Sequence, residues 1–327
     1  MKISCPMIVK NEGKTIYKAL LSVKDIVDEF IIGVDESTED NTAIEIARFC
    51  NTYTSASTDV YYYKWKNDFS KARNHAISKC KHEYVFILDG HEYLEQDGIK
   101  KLKKIKKDNP KFDVFLIELR MDNKGTCVEQ PRLFKKKYKY HNAVHNTIIF
   151  DSEKAAKITD VQIVHDRPEE LGEQRLKQRK EYGIDELWRK MKAGDKTAAR
   201  QLGHEYFAMK EFDKAVLMYE KYMEHNMLDR ERYQILIQLA LSNFQLKQYD
   251  VCESDLKLAF QFNEDQRNAH LVLLSSLYSQ QKQYYRALYY ACWAAQIKRP
   301  QQFFYIYPEF YNGKPGKMME SIYKKIG

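Results

Sequence analysis

Blocks of apolar residues, each closed by a polar cluster, succeed one another along the first half of the chain. Residues 2–9 (KISCPMIV) predict a strand, and Lys10-Asn11-Glu12 closes it with a turn. Residues 16–23 have helical spacing, and 28–34 are a second apolar strand. The polar loop that follows offers Asp40 or Asn41 as N-cap for a helix over 42–49. Residues 60–65 predict a third strand, and Asp68 opens a helix that runs to Cys80. The run 85–88 (VFIL) has the β-branched and aromatic character of a strand covered on both faces. Further strands are expected over 112–119, 147–150 and 161–166, with another segment beginning at Pro131. Strands alternating with helices predict a parallel sheet with helices on both faces.

At Arg167-Pro168 the pattern changes to helical. Residues 169–192 read as a charged amphipathic helix that could bury Leu171, Leu176, Tyr182, Leu187 and Trp188, and Gly194-Asp195 ends it. Three similar units follow: Tyr206-x5-Phe212-Asp213-x-Ala215, Asn243-x5-Tyr249-Asp250-x-Cys252 and Tyr278-x5-Tyr284-Tyr285-x-Ala287. Their period is close to the roughly 34 residues of tetratricopeptide repeats. A small residue at the Ala215, Cys252 and Ala287 positions lets paired helices approach closely. The aromatic cluster at 303–307 is expected to cap the stack. The division is therefore an α/β domain over 1–168, a linker helix over 169–195 and helical repeats over 196–327.

Composition adds little to this picture. A chain of 327 residues with 44% hydrophobic content can build two ordinary domains. The net charge of +8 suits anionic ligands without specifying one. The lysine runs at 100–107 and 135–137 read as a solvated helix face and a hairpin rim. Six cysteines without CxxC spacing argue against a zinc knuckle or a disulfide framework and suggest a reducing, cytoplasmic setting. No membrane span or signal peptide is expected.

Chemistry gathers at the strand ends. In an open α/β sheet, ligands bind beyond the carboxyl ends of the strands. Lys10-Asn11-Glu12, Asp35-Glu36-Ser37 and Asp89-Gly90-His91 are such ends. Neither GxGxxG nor GxxxxGK[ST] occurs, so a diphosphate here would need a cation and an arginine in place of a glycine cradle. A carboxylate with an imidazole suits Mn²⁺ better than Mg²⁺.

Five stretches in order resemble family 2 glycosyltransferases: Met7-Ile8-Val9-Lys10-Asn11-Glu12, Val27-Asp28-Glu29, the loop from Asp35 to Thr42, Trp65 through Asn74, and Leu88-Asp89-x-x-Glu92. The resemblance is to the bacterial branch with a GT-A catalytic domain (Rossmann-like, with a mostly parallel sheet) followed by tetratricopeptide-like helices. It implies a metal-dependent, inverting transfer of a sugar from a UDP-sugar. Asp35 then stands where the family binds uracil, with Glu12 lining the same pocket. Arg73 stands near the diphosphate, with an ion pair to Asp68 as its structural alternative. Pro6 and Asp68 complete the nucleotide-binding positions. Asp89 matches the first acid of the metal-binding DxD motif and His91 replaces the second. That D-x-H departure is similar to polypeptide N-acetylgalactosaminyltransferases, where the histidine ligates Mn²⁺. His145 matches the family's third metal ligand, and His165 its closing histidine, which would reach the diphosphate or buttress the sheet edge. The general base is open among Glu92, Asp113, Glu118 and Asp122, with Glu92 and Asp122 taken forward as the catalytic candidates. The repeats suggest a peptide or protein acceptor, or a homo-oligomer. Two rival readings are a non-catalytic nucleotide-binding adaptor acting through its repeats, and glycosylation of nucleic acid, which no aromatic-interleaved basic motif supports.

Overall fold

The computed structural model describes residues 1–108, 111–120, 127–143, 146–166, 183–263, 267–298, 310–311 and 313–326. The chain divides into two units, Met1–Gly172 and Glu173–Gly327.

Unit 1 is built on an eight-stranded sheet in the order β3-β2-β1-β4-β7-β6-β10-β5. The strands are β1 Ile3–Val9, β2 Glu29–Asp35, β3 Ser57–Tyr63, β4 Tyr84–Phe86, β5 Glu92–Leu94, β6 Val114–Arg120, β7 Cys127–Lys135 and β10 Ala155–His165, with a separate two-stranded pair β8 Tyr140–His141 and β9 Thr147–Ile148. Pairing of β1 with β2 and β4, of β2 with β3, and of β6 with β10 is parallel. β7 runs antiparallel to both β4 and β6, and β5 antiparallel to β10. The sheet is thus mostly parallel, with two reversed strands where the alternation of strand and helix breaks down. The carboxyl ends of β1, β2, β3, β4, β6 and β10 consequently share one edge.

Helices cover both faces. One face packs Leu20 and Ile16 of α1 (Ile16–Val23), Ile46 and Phe49 of α2 (Thr42–Thr52) and Leu102 of α4 (Gln96–Asp108) against the strands. The other packs Ile77 of α3 (Phe69–Lys79), together with Tyr140 and Ile148, on Ile31, Val85, Ile87 and Val114. Phe49 meets Phe30 edge-on at 5.4 Å. A fully buried side chain of this size contributes about 1.5–3 kcal/mol. The lysines of α4 line its solvent side while Leu102 is buried, as the periodicity requires.

Two boundaries differ from expectation. β3 starts three residues earlier than expected, at Ser57, and stops at Tyr63. It is an edge strand with a half-exposed pattern, so polar Ser57, Thr58 and Asp59 fit where an all-apolar run is unnecessary. β4 stops at Phe86, although Ile87 and Leu88 stay buried. Ile87 N still donates to the Arg132 carbonyl at 2.7 Å before the chain turns.

Among the described residues, the elements of unit 2 are all helical: α5 Ile184–Lys192, then the pairs α6 Thr197–Ala208 with α7 Phe212–Met223, α8 Asp229–Gln245 with α9 Tyr249–Gln261, and α10 Ala269–Gln280 with α11 Tyr284–Gln296, and last α12 Lys314–Ile326. The repeated aromatics Phe212, Tyr249 and Tyr284 each begin the second helix of a pair. Ala215, Cys252 and Ala287 are buried as expected. Each pair turns through a lysine with positive φ: Lys210 at 61°, Lys247 at 60° and Lys282 at 59°. The next backbone N–H reaches back five residues in each case, Glu211 to Tyr206, Gln248 to Asn243 and Gln283 to Tyr278. This left-handed closure satisfies the helix-end carbonyls. The expected linker helix is described only from residue 183, and the aromatic cluster 303–307 lies outside the described residues.

Candidate functional site

The shared edge places Glu12 just past β1, Asp35 at the end of β2 and Asp89 just past β4. Glu12 and Asp35 are buried, at 8% and 3% exposure, although both are acidic. Burying a carboxylate costs several kcal/mol unless partners satisfy it, so the partners describe the site.

Asp35 Oδ1 accepts from the Ser37 backbone N–H at 2.8 Å and from its hydroxyl at 2.5 Å. Tyr63 pairs with Asp35 across β2 and β3. Burial and then the Asp35 charge push the Tyr63 phenol up, so it stays a neutral donor. Glu12 is fixed by its backbone N–H to Thr42 Oγ1 at 2.8 Å and by Thr15 Oγ1, which donates to its Oε2 at 3.0 Å. Its Oε1 lies 2.8 Å from His91 Nδ1. An ionised carboxylate only accepts, so Nδ1 carries the proton in that contact.

Residues 89–92 form a tight turn, with Glu92 N donating to the Asp89 carbonyl at 2.9 Å and Asp89 N to Glu92 Oε2 at 2.9 Å. Gly90 permits it: a Cβ there would lie 2.9 Å from Glu12 Cγ and 3.1 Å from Val9 Cγ1. Arg132 Nη1 and Nη2 donate to the two Glu92 oxygens, each at 2.9 Å, in a pair with exposures of 5% and 1%. Arg73 Nη2 donates to Asp89 Oδ1 at 2.7 Å, and its guanidinium lies over the Tyr140 ring at 5.4 Å. Burial works to raise both carboxyls, but Arg73 beside Asp89 and Arg132 beside Glu92 outweigh it and hold them below the usual carboxylate range. Burial likewise opposes the Arg73 charge, and Asp89 more than restores it.

Arg73 therefore pairs with Asp89, not with Asp68. Asp68 caps α3, accepting from Lys71 N at 2.9 Å and from Ser70 Oγ at 2.7 Å. Pro6 sits inside β1, opposite Ile31 of β2. His165 stands edge-on to His91 with ring centroids 4.5 Å apart, and its Nδ1 is 3.6 Å from Glu92 Oε1. Asp113 lies at the opposite sheet edge, before β6, held by Lys135 and Lys137 and pushed down to about 2 chiefly by Lys137. Glu118 faces Gln162 of β10. Asp122 and His145 lie outside the described residues. The structure thus brings Glu12, Arg73, Asp89, His91 and Glu92 together, with Asp35 on the same edge, and sets Asp113 apart. Arg132 is the residue that sequence reasoning passed over, having marked only the segment that contains it. An arginine inside Pro131-Arg132-Leu133-Phe134 was the available signal, because a charge in an apolar strand needs a buried counter-charge.

Two donor sets bear on a cation. Ligand atoms of His91, Glu92 and His165 lie within 4.8 Å of one another, but Arg132 occupies both Glu92 oxygens. At Asp89, Arg73 takes Oδ1, while Oδ2 accepts no hydrogen bond among the described residues. The Glu12 contact to His91 Nδ1 is the carboxylate–imidazole pairing that orients a histidine to ligate through its other nitrogen.

Residues 4–202 match the family model described as Glycosyl transferase family 2. The chain is similar to the SPbeta prophage-derived glycosyltransferase SunS of Bacillus subtilis, 36% identical over 103 residues, which are 32% of this chain and 23% of that protein. It is also similar to a TPR repeat-containing protein of Synechococcus elongatus, 33% identical over 132 residues, 40% of this chain and 30% of that one. The match thus spans less than a third of either relative's length. Among solved structures, S. aureus TarS 1-349 in complex with UDP-GlcNAc overlays 91% of this chain and 93% of that chain, with 12% identity and a TM-score of 0.40.

Proposed function

We propose, for a chain that belongs to glycosyl transferase family 2, that it transfers a sugar from a UDP-sugar to a peptide or protein acceptor with inversion at the anomeric carbon. The observation that supports this most is the convergence on one sheet edge of Asp35, Arg73 and Asp89, from β2, α3 and the turn after β4. Asp35, oriented by Ser37, would accept the uracil N–H. Arg73 would share its charge between Asp89 and a phosphate oxygen. Its Nε is buried and has no hydrogen-bond partner among the described residues, which leaves a donor for that oxygen.

A divalent cation, Mn²⁺ or Mg²⁺, would be held by Asp89 and His91, with His145 as the further ligand the family pattern implies. When bound, it would neutralise the departing diphosphate. Glu12 keeps the His91 ring in one orientation, so the imidazole is positioned before any ligand arrives. Glu92 is proposed as a positioning residue: with both oxygens on Arg132 it fixes the Asp89 turn and is poorly placed to take a proton. The general base we assign is Asp122, which follows β6 by two residues in the sequence and lies outside the described residues.

The helical pairs of unit 2 support an extended-chain acceptor, since stacked pairs present concave surfaces. No described helix is long and apolar enough to cross a membrane. The described cysteines Cys5, Cys50, Cys80, Cys252 and Cys292 are free thiols, which supports the further proposal of a reducing, cytoplasmic setting. UDP release from a panel of UDP-sugars, with and without Mn²⁺, tests the reading. Metal-dependent release is expected, and its absence across the panel would favour the adaptor reading.

A further inference from the structure

The opposite edge of the sheet carries a second feature that the proposed reaction does not use. The end of α3, the approach to β4 and the turn after β7 enclose a cleft of about 460 Å³, lined by Ile77, Glu83, Lys135, Lys136, Lys137 and Lys139 among others. We propose that this cleft binds a phosphate group, whether of a free anion or of a lipid headgroup.

The lysines differ from an ordinary solvated run because most are held in place. Lys135 Nζ lies 3.1 Å from Glu83 Oε1 and 3.0 Å from Asp113 Oδ1. Lys136 Nζ donates to the Cys80 carbonyl at 3.0 Å, and Lys137 Nζ lies 2.5 Å from Asp113 Oδ2. Lys139 makes no ion pair among the described residues. An ammonium has three N–H donors, so each of these heads retains at least one for an incoming oxygen. Four ammoniums face the two carboxylates of Glu83 and Asp113, a surplus that matches a phosphate dianion. Their anchoring lowers the side-chain entropy lost when a ligand binds. Ile77 and the lysine stems supply an apolar floor.

The site is separate from the rim that carries Asp35 and Asp89. Lys135 pairs with Tyr84 at the start of β4, whereas Asp89 follows the other end of that strand. Arg73 lies in the first half of α3, and Ile77 toward its C-terminus.

Calorimetric titration of the full chain with inorganic phosphate tests this, using a K136Q/K139Q variant and, as an equal-charge control, K100Q/K104Q, both exposed on α4. Wild type and control are expected to bind alike, with at least tenfold weaker binding in the cleft variant and an unchanged melting temperature. Equal weakening in both variants, or no binding by wild type, would overturn the site. Co-sedimentation with phosphatidylcholine vesicles, with and without phosphatidic acid, identifies the source. Acid-dependent pelleting that K136Q/K139Q abolishes assigns a lipid phosphate, and phosphate binding without pelleting assigns a soluble one.

Discussion

Replacing Arg132 with Met isolates the buried charge pair on which the Asp89 turn depends. The variant keeps the volume of the side chain but leaves the Glu92 carboxylate, at 1% exposure, without its two guanidinium donors. Breaking a buried pair by removing one partner costs about 3–5 kcal/mol. For a unit of 172 residues that corresponds to a fall of roughly 6–20 °C in the melting midpoint. The pH dependence supplies a second signature. In the wild type Glu92 titrates below its ordinary value, so its contribution to stability is full above the unfolded-state pKa and fades only as the pH drops through the folded one. In the variant the same carboxyl is raised by burial, so its penalty is largest at neutral pH and disappears on acidification. The gap between the two melting curves should therefore narrow from pH 7 toward about pH 4.5. A double variant with Glu92→Gln should recover part of the loss. Scanning calorimetry reads all three. A midpoint change under about 2 °C, or a gap that widens with acid, would refute the reasoning.

Other consequences are equally open to measurement. Gly90→Ala would press a methyl against Glu12 Cγ and Val9 Cγ1, costing about 1–3 kcal/mol by overpacking and moving Glu12 off His91, so both the melting midpoint and UDP affinity should fall. Replacing Lys210, Lys247 and Lys282 with Gly relieves three left-handed residues and should stabilise unit 2 by about 0.5–1 kcal/mol at each turn, read as a rise in the denaturant midpoint. Burial pushes Asp255 up to about 6 despite its hydrogen bond from Asn243. Its folded value therefore exceeds its unfolded one, and stability of unit 2 should decline as the pH rises from about 4 to about 6 and then level off. Asp255→Asn should flatten that slope, and an unchanged slope would exclude Asp255 as its source.

Much of this arrangement was legible in the sequence because periodicity reports burial. The expected helix 16–23 matches Ile16–Val23 at both ends, and the spacing of Phe212, Tyr249 and Tyr284 pointed to three repeat units, whose second helices begin at those residues. Edge strand β3 was displaced because a half-exposed strand carries a weak apolar pattern. The reversed strands β5 and β7 were hidden because local sequence does not encode pairing direction. At the site, the order of the polar strand ends pointed to Glu12, Asp35 and Asp89 on one rim. It did not show that Arg73 would select Asp89 over Asp68, or that Arg132 would claim Glu92, since those are choices between partners distant in sequence. The three lysine turns were missed because a left-handed lysine has no signature of its own, unlike glycine.

The proposal stands on the rim formed by Asp35, Arg73 and Asp89, and calorimetric titration of UDP in the presence of Mn²⁺ addresses it most directly. Wild-type protein is predicted to bind UDP with an affinity that drops when the metal is chelated. Asp35→Ala should weaken binding at least tenfold, and Asp89→Asn should remove the metal dependence. Equal UDP affinity in all three proteins, indifferent to Mn²⁺, would contradict the account.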